Sequence, residues 1–466
     1  MAYLAETSPA STDTRATTAS DRFGTDPTYH DRPHVVFVTG AILSKAFQFN
    51  AARRLGLNVV IIDSASSAGL ELRKTGLIDI FVSVELSTDP DLATLQCVEA
   101  IEALGRNVIG VVTFMEMAVL LASKVASCLD LPGLNPEGVA TVRDKYRMRE
   151  AMRTCGLASV SSFSIKHEED IAAASRHVGY PAVLKPIIGA DSLGVKRVDS
   201  EAELLEAFKE GVKVMHSLCI TSGLLSNCED STKSASTPIL PVEFVLEEYL
   251  DGQEVDVDVL LHEGVCYYAA VSDNGPTVEP YFTETYGTLP SLLPVDSQKE
   301  LIQLSIDSVM ALRMSTGLFH IEAKLTSRGP RLIEVNARLG GGPICEMHKR
   351  VSGIDLAEQQ IRLAIGLTPS PHISDISGRS FAYMTTNAVA SGVIGSDLSF
   401  LNKYREDVLK LSCRVRAGDR VVGPADGQPS WLVEIWMEGN EDVSSLVDRI
   451  VSVSDEIAVE FVGNYL

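Results

Sequence analysis

The first ordered pattern in the chain is the apolar run Val35-Val36-Phe37-Val38, directly after His34. Its length and β-branching predict a strand buried on both faces of a parallel sheet. Thr39-Gly40 breaks the run, apolar positions at helical spacing extend from Leu43 to Leu55, and Gly56 closes the helix. Val59-Val60-Ile61-Ile62 is a second such strand, ending at Asp63, and Ile80-Phe81-Val82 and Val108 to Thr113 are two more. Strand and helix in this rhythm predict a parallel α/β domain over residues 33–143. The turn Thr39-Gly40-Ala41 has too few glycines for a dinucleotide fingerprint, so it reads as structural.

From Asp144 the pattern mixes helices with alternating strands, and we read 144–369 as one domain. Helices are predicted over Lys145 to Cys155, Glu201 to Met215, Leu301 to Leu312 and 354–366. Strands are predicted at Ser161–Ile165, Ala182–Lys185, Val195–Val198, Val242–Leu246, Val255–Leu261 and Val265–Val271. His320–Leu325 and Arg331–Val335 read as a hairpin around Ser327-Arg328-Gly329-Pro330. Residues 217–238, crowded with Ser, Thr, Asn and Asp, read as a surface insertion. Thr368-Pro369-Ser370-Pro371 marks a boundary. Residues 370–466, with strands at Phe381–Asn387, Val408–Cys413 and Leu432–Met437 and a helix from Val443, read as a small α+β appendage.

Composition narrows the classes. At 45% hydrophobic and 22% charged residues the chain is of globular type. A net charge of −22 argues against a general nucleic-acid or anionic-membrane binder. No apolar run approaches the ~20 residues of a membrane span. The eight cysteines are scattered without a CxxC pair, which predicts reduced thiols in a cytoplasmic protein rather than a disulfide or zinc framework. Residues 1–32 lack periodicity and read as a disordered tail, and Glu6, Asp13, Asp21 and Asp26 speak against a transit peptide there.

Three clusters carry chemistry. Tyr180-Pro-Ala-Val-Leu-Lys185-Pro ends a strand on a lysine, and Gly189-Ala-Asp-Ser192-Leu-Gly194 follows it as a glycine hairpin whose backbone N–H groups suit phosphate oxygens. Glu247-Glu248-Tyr249-Leu250-Asp-Gly-Gln-Glu254 joins two strands by a linker whose backbone edges suit a purine, and Glu254 suits ribose hydroxyls. In the third cluster Glu322 lies on one hairpin strand, while Glu334, Asn336 and Arg338 alternate along the other. Pairing about the Arg328–Gly329 turn brings Glu322 toward Glu334, and two carboxylates with an amide oxygen suit Mg2+ held with phosphates. Gly340-Gly341-Gly342 would allow a ligand close to the backbone.

In this order, from Asp144-Lys145 to Glu334-Val-Asn336-Ala-Arg338, the motifs resemble the ATP-grasp family of carboxylate–amine ligases over about residues 34–370. The Arg338–Gly342 and Glu279–Pro294 stretches are most similar to its amino-acid ligase branch, which includes carnosine synthase. The resemblance implies an N-terminal α/β domain, a lid subdomain (about 180–250) and a larger antiparallel-sheet domain. It implies ATP contacts from Lys145, Lys185, Ser192, Gly194, Glu247, Glu248, Tyr249, Leu250 and Glu254, with adenine meeting the Glu247 and Leu250 backbones. It assigns Mg2+ or Mn2+ to Glu322, Glu334 and Asn336, and the acyl phosphate to Arg338. Small-molecule acids and amines are the implied partners, a homodimer is common in the family, and neither nucleic acid nor membrane is implied. Glu284 is a candidate for a substrate ammonium or an exposed loop acid, His320 for a site residue or a satisfied core histidine, and Gly341 for substrate contact. Tyr286 departs from the branch and leaves specificity open. A biotin-carboxylase-like enzyme and a non-catalytic ATP-binding module are the other readings.

Overall fold

The computed structural model describes residues 32–227, 239–372 and 378–465. Strands β1 (His34–Val38), β2 (Asn58–Asp63), β3 (Ile80–Ser83) and β4 (Val108–Val112) form a parallel sheet in the order β3-β2-β1-β4. Every residue of β1 and β2 is buried, as their unbroken apolar runs require. The predicted helix after β1 begins one turn late, because Leu43–Lys45 is a 3-10 turn and the α-helix covers Ala46–Arg54. The expected tail lies almost wholly outside the described residues.

The lid holds β5 (Ser162–Ile165), β6 (Ala182–Pro186), β7 (Lys196–Val198), β8 (Leu218–Thr221), β9 (Leu224–Asn227) and β10 (Phe244–Glu248). Its main sheet runs β5-β10-β6-β7 and is antiparallel, so the unit reaches back beyond the expected start near 180. The expected surface insertion is also different in its first part. Residues 218–227 form the hairpin β8–β9, turned through Ser222 and Gly223, both at positive φ. Leu218 and Leu225 are buried in the lid core, which anchors an otherwise polar stretch. The tip reaches the first domain, where the Gly40 amide donates to the Ser222 carbonyl at 3.1 Å. Residues 228–238 lie outside the described residues.

The central sheet is built from β11 (Gln253–His262), β12 (Val265–Asn274), β13 (Tyr286–Leu289), β14 (Gly317–Thr326), β15 (Gly329–Asn336) and β16 (Ser380–Asn387). The C-terminal region adds β17 (Gly392–Val393), β18 (Lys410–Cys413), β19 (Arg420–Val421) and β20 (Trp431–Gly439). Eight strands pair in the order β15-β14-β11-β12-β13-β16-β20-β18. Residues 370–466 are therefore no separate appendage: β16 pairs with β13 and carries the central sheet onward. Local periodicity predicts strands but not partners nearly a hundred residues away. Alternation along β11 sends Val255, Val257, Val259 and Leu261 into a core with the helix Val295–Ala311. The intervening Glu254, Asp256 and Asp258 fall on the other face.

One buried contact ties lid to central sheet. Arg149, on the helix Lys145–Thr154, makes a bidentate pair with Glu247 of β10 at 2.7 and 3.0 Å. The same guanidinium donates to the carbonyls of Leu332 (2.8 Å) and Ile333 (2.7 Å) on β15. Lys185 adds a contact to Glu247 at 3.0 Å. Burial alone would raise the Glu247 carboxyl, but Arg149 and Lys185 overcome it and hold it at about 2. We expect Arg149→Met to cost about 3–5 kcal/mol, because it leaves Glu247 buried without its main partner; denaturant unfolding checks this. The ionised pair stabilises the fold fully above the ordinary glutamate range, near pH 4.5. That contribution is lost as pH falls from there toward 2, so the deficit of the variant should shrink in acid.

Candidate active site

A cavity of about 710 Å³ opens where the first domain, the lid and the central sheet meet. Its floor is the β14–β15 hairpin. Glu322 stands directly across from Glu334, and His320 across from Asn336. The Asn336 amide donates to Glu322 at 3.3 Å, and Lys145 donates to Glu334 at 2.8 Å. Burial and then the charges of Glu334, Asp256 and Glu254 push the Glu322 carboxyl up to about 8. Glu334 also holds the Lys145 ammonium above its ordinary range, against the burial that would lower it. Hard oxygen donors on a site with excess negative charge fit a divalent cation such as Mg2+. Among the described residues no three or more His, Cys, Asp or Glu side chains close around one point, so phosphate oxygens would have to complete such a shell.

The lid supplies the opposite wall. Lys185, Ser192, Glu247, Glu248, Tyr249 and Leu250 all line the cavity, as does Glu254 at the start of β11. The Glu247 side chain is engaged by Arg149 and Lys185, which leaves only its backbone for a ligand. Glu248 accepts from the Ser161 amide at 3.2 Å and from Arg328 at 3.0 Å. The Tyr249 ring lies under Arg197, 4.7 Å from its centroid, and its hydroxyl donates to Glu279 at 2.8 Å. Lys324 donates to the Leu250 carbonyl at 3.4 Å and pairs with Glu254 at 3.6 Å. In the glycine hairpin, Asp191 and Ser192 have φ near +55°, and the Ser192 hydroxyl donates to the Phe282 carbonyl at 3.2 Å. Gly194 departs from expectation. It is not a lining residue; its φ of +76° turns the chain, and a Cβ there would meet Pro186 at 3.1 Å.

The two open candidates resolve by geometry. His320 lines the cavity and is also a satisfied buried histidine, 3.0 Å from Asp258 and 3.7 Å from Asp256. Burial disfavours its charge, yet the two aspartates outweigh this and raise it to about 10. Asp258 contacts His348 at 2.8 Å, and His348 meets the Tyr268 hydroxyl at 2.8 Å, so a polar chain runs from the cavity into the core. Glu284 lines the cavity with its side chain open to solvent there. Its depth in the cleft, then Asp256, Asp191 and Glu254, push its carboxyl up to about 7. Gly341 lies exposed on the rim.

Sequence reasoning missed several lining residues. Glu116, just past β4, sits 2.7 Å from Arg338. Burial works to raise the Glu116 carboxyl, but Arg338, Arg143 and Lys145 keep it low. Asp256, and Asp258 buried behind the cavity, had a readable signal, acids at every second position of a valine-rich strand. The C-terminal wall had none. Gly287, Tyr383, Trp436 and Lys410 stand in register across four strands, and all but Gly287 line the cavity. A Cβ on Gly287 would fall 2.4 Å from the Tyr383 ring, so glycine lets that ring lie flat on its neighbour strand. Lys410 covers Trp436 at 3.6 Å and, with Arg414, neutralises Glu434.

The sequence matches the family model of the ATP-grasp N-terminal domain over residues 49–133 and that of the ATP-grasp domain over residues 178–346. It is 30% identical to carnosine synthase 1 of Gallus gallus over 349 residues, which is 72% of this chain and 35% of that protein. It is 26% identical to the alanine–anticapsin ligase of Bacillus subtilis strain 168, over 56% of this chain and 55% of that one. The chain thus spans only about a third to a little over half the length of these relatives. The structure superposes on an L-amino acid ligase from Bacillus licheniformis with a TM-score of 0.73, covering 92% of this chain and 98% of the other at 22% identity. Both domain matches, in order and with the fold around them, place the chain in the ATP-grasp family.

Proposed function

We propose that this protein is an ATP-dependent, ADP-forming ligase that joins the carboxylate of one amino acid or similar acid to an amine through an acyl phosphate. The observation that carries this reading is the convergence of Lys145, Lys185, Glu322, Glu334, Asn336 and Arg338 on one cavity. These are the charges that transfer of a phosphoryl group to a carboxylate calls for. The relatives that join amino acids, carnosine synthase and alanine–anticapsin ligase, support the choice of substrate class.

Each residue has a task in this reading. Lys185 and the Gly189–Ser192 hairpin hold phosphate oxygens, while the backbone after Glu247 receives the adenine and Glu254 the ribose. Glu322, Glu334 and Asn336 would hold Mg2+, which when bound neutralises charge on the phosphates. Lys145 keeps Glu334 aligned. Arg338, fixed by Glu116, faces the oxygen charge that develops as the acid is phosphorylated and as the amine attacks. Glu284, with its surplus of negative neighbours, suits the ammonium of an amino acid. The hairpin β8–β9 and the glycine loop cover the cavity and keep water from the activated acid. The nucleophile is the substrate amine, so no protein nucleophile is required.

The direct test is incubation with Mg-ATP and pooled amino acids, β-alanine and small amines, with ADP and product masses measured together. A mass equal to two substrates less water, with equal ADP, is the expected result; AMP with pyrophosphate would overturn the acyl-phosphate route. Glu334→Ala should reduce turnover by about a thousandfold or more, since it removes a metal ligand and the Lys145 partner at once; steady-state ADP release checks this. Arg338→Ala should lower kcat about a hundredfold or more while nucleotide affinity changes little. Calorimetric titration with Mg-ADP beside the rate assay separates the two effects.

A further inference from the structure

Lys45 reaches the cavity from the first domain, and no part of the reading above uses it. It ends the 3-10 turn Leu43–Lys45, set after β1 by the positive-φ pair Thr39 and Gly40. The amide of Ala41 donates to Asp63 at 2.9 Å, and Gln48 donates to the Gly40 carbonyl at 3.3 Å, so this turn is held from two sides. The lysine is half-buried and lines the same cavity as Phe47, Phe114 and Arg338. Its amine lies 5.9 Å from the Phe47 ring centroid.

The charges around it do not balance. Among the described residues Lys45 makes no ion pair within 4.0 Å, whereas Lys145, Lys185, Lys324 and Lys410 in the same cavity each have a carboxylate partner. Its strongest charged neighbour is Arg338, a like charge. Burial and then Arg338 pull its ammonium down to about 8. The carboxylate that acts on it most strongly is Asp191, which makes no ion pair with it within 4.0 Å and whose own carboxyl is raised by burial. Arg338 also has capacity left. Its Nε contacts Glu116 at 2.7 Å, but this buried N–H lacks an aligned hydrogen-bond acceptor. Two cations from different domains thus face one space with donors to offer, in a cavity otherwise rich in acids.

We propose that Lys45 and Arg338 together form an anion subsite that binds the carboxylate of the acid substrate, so that the first domain completes the acid-binding site across the domain boundary. An isolated buried cation is costly, and a bound carboxylate would remove that cost while orienting the oxygen to be phosphorylated. The proposal rests on the ligase reading for the identity of the anion, but not for the existence of the subsite. Lys45 is a binding and positioning residue here, and no proton transfer is assigned to it.

The test has two arms on the full chain. In the first, trace acetylation at pH 8 with peptide mass mapping follows Lys45 in the presence of acetate, β-alanine, L-alanine or chloride at equal ionic strength. Labelling of Lys45 should fall several-fold with at least one carboxylate and not with chloride; equal labelling in all of them overturns the subsite. Protection by Mg-ADP alone, with none from carboxylates, would assign the lysine to nucleotide phosphate and also overturn it. In the second arm, Lys45→Met should raise KM for the acid by about tenfold or more, the worth of one charged hydrogen bond, with Mg-ADP affinity unchanged and Lys45→Arg restoring most of the loss. An unchanged KM for the acid in Lys45→Met refutes the proposal while leaving the ligase reading intact. If wild-type protein ligates nothing, the ligase reading fails, and the acetylation arm alone decides whether the subsite exists.

Discussion

Arg149 is the contact on which the cavity depends. Its guanidinium reaches a carboxylate of the lid and two main-chain carbonyls of β15 at the same time. Those carbonyls, of Leu332 and Ile333, come directly before Glu334, so the pair that fixes the lid strand also fixes the height of that acid on the floor. A buried charge of this kind adds little net stability over an apolar packing, but it tolerates only one arrangement of its partners. Its main consequence is geometric: Lys185 on one side and Lys145 on the other are held at a set distance across the space between lid and sheet.

The cavity is a place of surplus negative charge that the protein only partly neutralises. Glu322 and Glu284 have carboxyls pushed up to about 8 and 7, and among the described residues no ion pair to a basic side chain offsets either. Such a surplus of negative charge gathers where ligands bring positive charge. A divalent cation at Glu322 and Glu334, and an ammonium at Glu284, would relieve it at the places where catalysis needs them. Around Lys45 and Arg338 the imbalance reverses sign, which fits an acid and an amine entering the same chamber from opposite electrostatic sides.

The C-terminal strands alter how the molecule is organised. By joining β13, β16 carries the sheet onward at the end opposite the β14–β15 hairpin, where it would otherwise stop. The C-terminal wall is aromatic and cationic rather than acidic, with Tyr383, Trp436 and Lys410 in one cross-strand row. Glu284 and Thr385 line the same cavity as this wall.

Sequence alone determined the parallel first domain, the order of the lid and hairpin elements, and the acids and lysines that meet on the floor. Those features rest on local rules. Unbroken apolar runs specify buried strands, alternation specifies which side chains share a face, and a short turn brings Glu322 near Glu334, although it takes a bulge between Glu322 and Ala323 to set the two directly opposite. Tertiary structure alone decided the rest. The pairing of β13 with β16, the contact of Arg338 with Glu116, the approach of Lys45 and the seating of the β8–β9 hairpin on Gly40 all join residues far apart in the chain. No periodicity encodes such contacts, because they depend on how separately formed units pack, and on which buried charges find one another once the water between them is gone.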